Sequence, residues 1–143
     1  MTTKRESIIA AMVNQLSGTT NVSDRIYRSR VVPLQRNESP ALVIEPIADT
    51  PDENIATPYI DWSLTVRVSV IVRADIPDQV ADPIVESVHK KLMDDLSLSN
   101  NAIDIRPGNT NFELVDADKP AGVIGMDYIV RYRTSLTDLA TSP

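Results

Sequence analysis

The sequence contains no cysteine among its 143 residues. Disulfides, thiolate metal sites and cysteine nucleophiles are therefore excluded, and nothing in the chain favours an oxidising compartment. Histidine occurs once, at His89 beside Lys90. A catalytic triad needs a base next to a nucleophile and an orienting carboxylate, and no G-x-S-x-G is present to expose a serine. His89 is therefore read as a solvated or rim residue. The four glycines, Gly18, Gly108, Gly122 and Gly125, form neither of the glycine-rich spacings that cradle phosphates. Gly122 to Gly125 is expected to be a turn and a bulge. Aromatics are 4% of the chain, so the core must be built from Val, Ile and Leu. Residues 1–20 hold no apolar run fit for a secretory signal, and no segment reaches the length of a membrane span. The Asn-x-Ser triplets at Asn21 and Asn37 are read as chance in that context.

Basic residues are also in deficit. Fourteen Lys and Arg face twenty Asp and Glu, for a net charge of −6. Dedicated duplex binding is disfavoured, because phosphate affinity needs an excess of cations. The deficit is uneven. Residues 1–36 hold six basic and two acidic residues, a net of +4; the remainder holds eight and eighteen, a net of −10. A bipolar chain can pack head to tail on its own copies, or can simply carry two differently solvated faces.

The length suits a single domain spanning 1–143, with a polar tail from Ser135 expected to fray. Ile8, Ile9, Met12, Val13 and Leu16 recur at helical spacing behind a capping box, Thr3 to Glu6, and Gly18 suits the helix exit. Residues 25–28 read as a short strand, 31–40 as a long loop, 41–46 as a short strand, and 49–58 as an acidic loop or hairpin tip. Residues 60–73 are the clearest strand. Trp62, Leu64, Val66, Val68, Val70 and Val72 alternate with polar neighbours, which implies one buried face and one wet face. A turn over 75–82 leads to a helix expected to start with Asp82 as cap and Pro83 first, with Ile84, Val85, Val88, Leu92 and Leu96 in one stripe. Brief strands are expected at 103–105 and 112–115. A second long strand is expected at 123–134, with Met126, Tyr128, Val130 and Tyr132 on one side. Two helices not interleaved with the strands predict an α+β fold, a largely antiparallel mixed sheet with both helices packed on one face.

Carboxylates are plentiful, in groups at Asp49, Asp52 and Glu53, at Asp75, Asp78 and Asp82, at Asp94 and Asp95, and at Asp116 and Asp118. None follows calcium-loop spacing. A solvated acidic surface is preferred over a hidden acid–base pair. No enzymatic activity, metal or cofactor is expected. Arg25, Arg28, Arg30 and Arg36 lie in or beside the proline-containing loop, with Tyr27 among them. Arginines with an aromatic can bind single-stranded nucleic acid, but one aromatic in an acidic chain favours a protein interface.

The order of these pieces resembles the tail terminator, or tail-completion, proteins of long-tailed bacteriophages. The pieces are Arg25-Ile26-Tyr27-Arg28 and a loop into Pro40-Ala41-Leu42-Val43-Ile44, the strand Trp62 to Arg73, Ala81-Asp82-Pro83 opening an amphipathic helix, and Phe112-Glu113 and Ala117-Asp118-Lys119-Pro120 before residues 126–134. The resemblance covers nearly the whole chain. It implies a hexameric virion ring that caps the tail tube and joins it to the head, with a tail tube protein and a head–tail connector or neck protein as partners. It also implies assembly in the host cytoplasm and DNA passing through the lumen without specific binding. Neck, head-closure and tail-chaperone proteins are similar in size. The loops at 30–40 and 49–59 are then natural contact points, which makes Arg25, Arg28, Arg30, Arg36, Asp49, Asp52 and Glu53 the candidate interface residues.

Overall fold

Alternation along one strand sets the sheet on which everything else is built. The computed structural model describes residues 2–29, 39–52, 58–115 and 120–141. Its elements are α1 (Lys4–Gln15), β1 (Ile26–Arg28), β2 (Ala41–Pro51), β3 (Tyr59–Arg73), α2 (Pro77–Met93), β4 (Asp104–Val115) and β5 (Ala121–Ser135). The strands form one sheet in the order β1-β2-β3-β5-β4. β1 runs parallel to β2, and the other pairings are antiparallel. This is the expected α+β architecture.

β3 and β5 are the centre. Leu64, Val66, Val68 and Val70 are fully buried, and their register partners Val130, Tyr128, Met126 and Ile124 are buried opposite them. Leu42 and Ile44 of β2 extend the same face, because they pair with Val70 and Val68. Both helices close over this face, so that Ile8, Ile9, Met12 and Leu16 join Ala81, Ile84, Val88 and Leu92 in one core. Each buried Ile, Leu, Val or Met of this set stabilises the fold by about 1.5–3 kcal/mol through burial, and Ala81 by less. Gln15 ties the helices together by donating from Nε2 to the Lys91 carbonyl at 2.7 Å.

The helix starts differ from the sequence reading. Thr3 caps α1 as expected, its hydroxyl accepting from the Glu6 amide at 3.2 Å. Glu6 does not complete the capping box; its carboxylate turns to Arg28 instead. An ion pair with a guanidinium outcompetes a return bond to one amide. α2 begins at Pro77, six residues before the expected Pro83, and takes in much of the expected turn. Pro77 needs no amide partner in the first turn. Pro83 lies inside the helix, where it removes a donor. The helix persists because Pro77, Ala81, Ile84 and Val88 are all buried. At the other end, Leu96 is 48% exposed and Leu98 fills the core in its place. The helix has already ended, and Leu98, Ser99 and Asn100 turn the chain with φ of 48°, 60° and 65°. Asp95 holds this turn by accepting from the Ser97 and Ser99 amides and the Ser97 hydroxyl.

Strands are longer than expected. β2 runs to Pro51, so residues 49–51 are strand and not loop. The long partner β3 supplies Leu64, Ser63 and Trp62 for them to pair with. β4 is continuous where two brief strands were expected, with a register shift between Pro107 and Thr110. β5 includes Gly122 and Gly125 as regular paired positions, not as a turn and a bulge. The reason for glycine at 122 is clearance: a Cβ there would lie 2.6 Å from the Pro77 Cβ. Gly18 is the left-handed exit residue after α1, with φ of 83°. The segment after Ser135 carries hydrogen bonds: Ser135 donates to the Thr141 carbonyl, Leu136 to Pro58, and Lys4 to Leu139.

Gly122→Ala is expected to cost about 1–3 kcal/mol in urea unfolding, the range for overpacking a filled site. Gly125→Ala meets only the flexible Arg67 side chain, at 3.3 Å, and should change stability by less than about 1 kcal/mol. Equal costs at the two positions would contradict the seat of Pro77 on Gly122. Val68→Asp should abolish cooperative unfolding, because it places an unpaired charge at a fully buried position. Circular dichroism under denaturant checks this directly.

Candidate interface sites

The described residues bring no catalytic constellation together. No group of three or more His, Asp or Glu among them could hold a metal ion. No helix among them is long and apolar enough to cross a membrane. His89 is exposed on α2, and its Nδ1 lies 3.2 Å from the Tyr128 hydroxyl. Burial pushes the Tyr128 phenol up to about 12. Asp116 and Asp118 lie outside the described residues.

The arginines split into an anchored pair and an undescribed pair. Arg25 donates from Nε to the Pro40 carbonyl at 2.8 Å and from Nη2 to the Asn21 carbonyl at 3.0 Å. It fastens the start of β2 to the turn before β1. Arg28 grips both carboxylate oxygens of Glu6, at 2.5 and 2.6 Å. This pairing holds the Glu6 carboxyl below its usual range and raises Arg28. Arg30 and Arg36 lie outside the described residues, as does Glu53. Asp52 is exposed just past β2, and its amide donates to the Asp61 carbonyl at 2.8 Å.

Asp49 is in a different environment from its neighbours. The bulge at Ile47 shifts the phase of β2, so that Ala48 pairs with Thr65 and Asp49 with Leu64. A residue expected on an acidic loop is thereby turned to the core side of the sheet. Its side chain is 8% exposed. The Tyr132 hydroxyl donates to its Oδ2, Arg5 Nη1 lies 3.6 Å from the same oxygen, and Oδ1 has no partner among the described residues. Trp62 stacks on Tyr132 at 6.3 Å and donates from Nε1 to Thr134 at 2.9 Å. Burial raises the Asp49 carboxyl above its usual range, with the Tyr132 and Arg5 contacts offsetting part of the effect. Burial and the Asp49 contact together raise the Tyr132 phenol.

Three ion pairs that sequence reasoning did not single out line the opposite, outer face. Arg133 grips Asp61, Arg67 grips Asp127, and Arg131 grips Asp104, each through two nitrogen–oxygen contacts between 2.6 and 3.4 Å. Every pair joins residues directly opposite in register. The arginine contacts hold Asp61 and Asp104 below the usual carboxylate range. Exposed pairs of this kind add little stability, but they penalise a register slip. The Arg133 guanidinium also lies 4.0 Å above the Tyr59 ring. The wet half of the β3 alternation was the available signal; pairing needed the register.

The remaining feature lies at the sheet edge. Phe112 and Leu114 of β4 are 70% and 72% exposed. With Gly122, Val123 and Ile124 they line an apolar cleft edged by Asp78 and Glu113.

These features make the chain an α+β domain with a charge-paired sheet face, an open apolar edge and no assembled reaction centre among the described residues. No family model matches the chain, and no curated protein matches it. Among solved structures it is similar to a chain of the "Virion of native gene transfer agent (GTA) particle", with a TM-score of 0.66 and 16% identity, over 87% of this chain and 93% of that one. At that identity the likeness is one of fold.

Asp49 sets a pH test. Its folded-state pKa is raised, so its ionisation opposes folding at neutral pH. That opposition fades as pH falls through the folded pKa and is gone below the unfolded value of about 3.9. Asp49→Asn should be more stable than the parent at pH 7, because the neutral amide carries no charge to desolvate. The difference should shrink by pH 4 in thermal unfolding followed at both values. A difference that grows on acidification would show that the ionised form is the stabilised one.

Proposed function

We propose that this chain is a structural protein of a phage-like virion, and within that class a tail terminator. In this reading its copies close into a ring, six to a ring, on the end of the tail tube. The ring stops elongation and presents a surface to the head–tail connector or neck. The fold likeness to a chain of a virion particle carries the proposal, because it spans nearly the whole of both chains. The order of elements that suggested terminators from sequence supports it further.

The physical requirement is for unlike surfaces. A tube grows because each ring offers its end to the next. A terminator must match that end on one side and fail to reproduce it on the other. In a closed ring each subunit also meets its neighbour heterologously, which takes two different patches per chain. The sheet has a basic flank, with α1 and β1, and an acidic flank, with β4 and the start of α2. A net charge of −6 suits a lumen through which DNA passes without being held.

The second reading is another neck or head-closure component, or a tail assembly chaperone. The likeness is to a chain of a virion particle and assigns no position within it, so the neck component fits the same observation. Native mass spectrometry of the purified protein, alone and with tail tube protein, should give a six-fold species. Electron microscopy of particles carrying a tagged chain should place it between tube and connector. Absence from mature particles would favour the chaperone. A protein that stays monomeric at every concentration and joins no tails sinks the ring reading.

A further inference from the structure

The two edges of the sheet are built differently. On the β1 side, β1 covers β2 over three residues only, from Leu42 to Ile44. The stretch of β2 beyond carries Pro46, a bulge at Ile47, and Pro51. Proline and bulges are the usual guards against unwanted strand pairing. On the far side, β4 is the last strand, and its guards, Pro107 and the register shift up to Thr110, occupy only its first half. From Thr110 to Val115 the strand is regular, and among the described residues nothing pairs with its outer side.

Among the described residues this open half also carries the two most exposed large apolar side chains. Phe112 and Leu114 pair with Ile124 and Gly122 and therefore lie on the core side of the sheet. They remain exposed because α2 starts over Gly122, where Pro77 sits, and runs away from them. Ile76 and Val80 at the start of α2 are exposed as well, at 55% and 42%. Two apolar residues on an open edge are a surface built for another strand.

Charge selects the occupant. The cleft is rimmed by Asp78 and Glu113, and Asp75 and Asp82 are exposed on the same end of α2. A two-fold pairing of β4 with another β4 would set these carboxylates against their own copies. The flank at the opposite edge carries Lys4, Arg5, Arg25 and Arg28 against Glu6, Asp24 and Asp49. Arg28 is paired to Glu6 and Arg5 lies near Asp49, which leaves a small net positive charge led by the partly exposed Lys4 and Arg5. Among the described residues β1 is the terminal strand there. We propose that the 110–115 edge of β4 docks on the α1–β1 flank of a second copy of this chain, head to tail. Such a contact is heterologous and repeats, so it closes a ring or extends a filament. It rests on the ring reading only for the closure; the contact itself follows from edge, apolar exposure and charge.

Sedimentation of the full chain over a range of concentration and salt tests this with two variants. Phe112→Ser/Leu114→Ser should fall to monomer, with an unfolding midpoint that matches the parent's at dilutions where the parent is dissociated, since both side chains are exposed. Asp78→Lys/Glu113→Lys should weaken self-association at least tenfold, because it sets lysines against a basic flank. The parent should associate more weakly as salt rises. A symmetric β4–β4 contact predicts instead that the lysine variant associates like the parent, and that result overturns the proposal. If the parent associates and the serine variant does so equally, the edge assignment falls and the ring reading stands. If the edge variants dissociate a species that is not a closed ring, the contact stands and the ring reading falls. A parent that is monomeric throughout overturns both.

Discussion

β3 and β5 pair residue for residue along fifteen positions each, from Tyr59 with Ser135 to Arg73 with Ala121. The remaining elements are placed by that pairing. With a side-chain period of two, a single register decides which residues meet the helices and which meet water. The register in place sets Leu64, Val66, Val68 and Val70 beside Val130, Tyr128, Met126 and Ile124. The same register sets Asp61 against Arg133 and Arg67 against Asp127 on the other face. A slip of one residue would bury the charges and expose the aliphatics. The two faces therefore enforce one alignment by different physics, area on one side and charge on the other.

Local departures from the pattern carry the more specific information. One extra residue in β2, Ile47, converts Asp49 from an outward residue into a nearly buried one under Arg5 and Tyr132. One missing side chain, at Gly122, lets Pro77 seat the first turn of α2 on the sheet. That seat leaves Phe112 and Leu114 uncovered. The open edge thus follows from where the helix starts. In the proposed reading that edge connects the fold to assembly.

Much of the architecture was legible in the sequence where a period was long and unbroken. The alternation from Trp62 to Val72, the inner face of β5 and the apolar stripe of α1 all fall where their spacing put them. Legibility failed where proline and glycine act against their local preference. Pro83 reads as a helix start but sits inside α2, since buried Pro77 and Ala81 hold an earlier turn on the core. Gly122 and Gly125 read as turn and bulge but are paired strand residues. Of the candidate interface residues, Arg25 and Arg28 are engaged within the chain, and Asp49 faces the core side.

By itself the sequence determined the class of fold and the absence of cysteine chemistry. It also determined a basic amino-terminal quarter on an acidic chain. These are properties of composition and short-range period, which need no partner strand to be expressed. Only the tertiary structure decided which edge of the sheet is guarded and which is open, and which charges are already paired. It also decided that Phe112 and Leu114 are surface and not core. Those outcomes depend on register and on the seat of α2, both set by contacts between residues far apart in the chain.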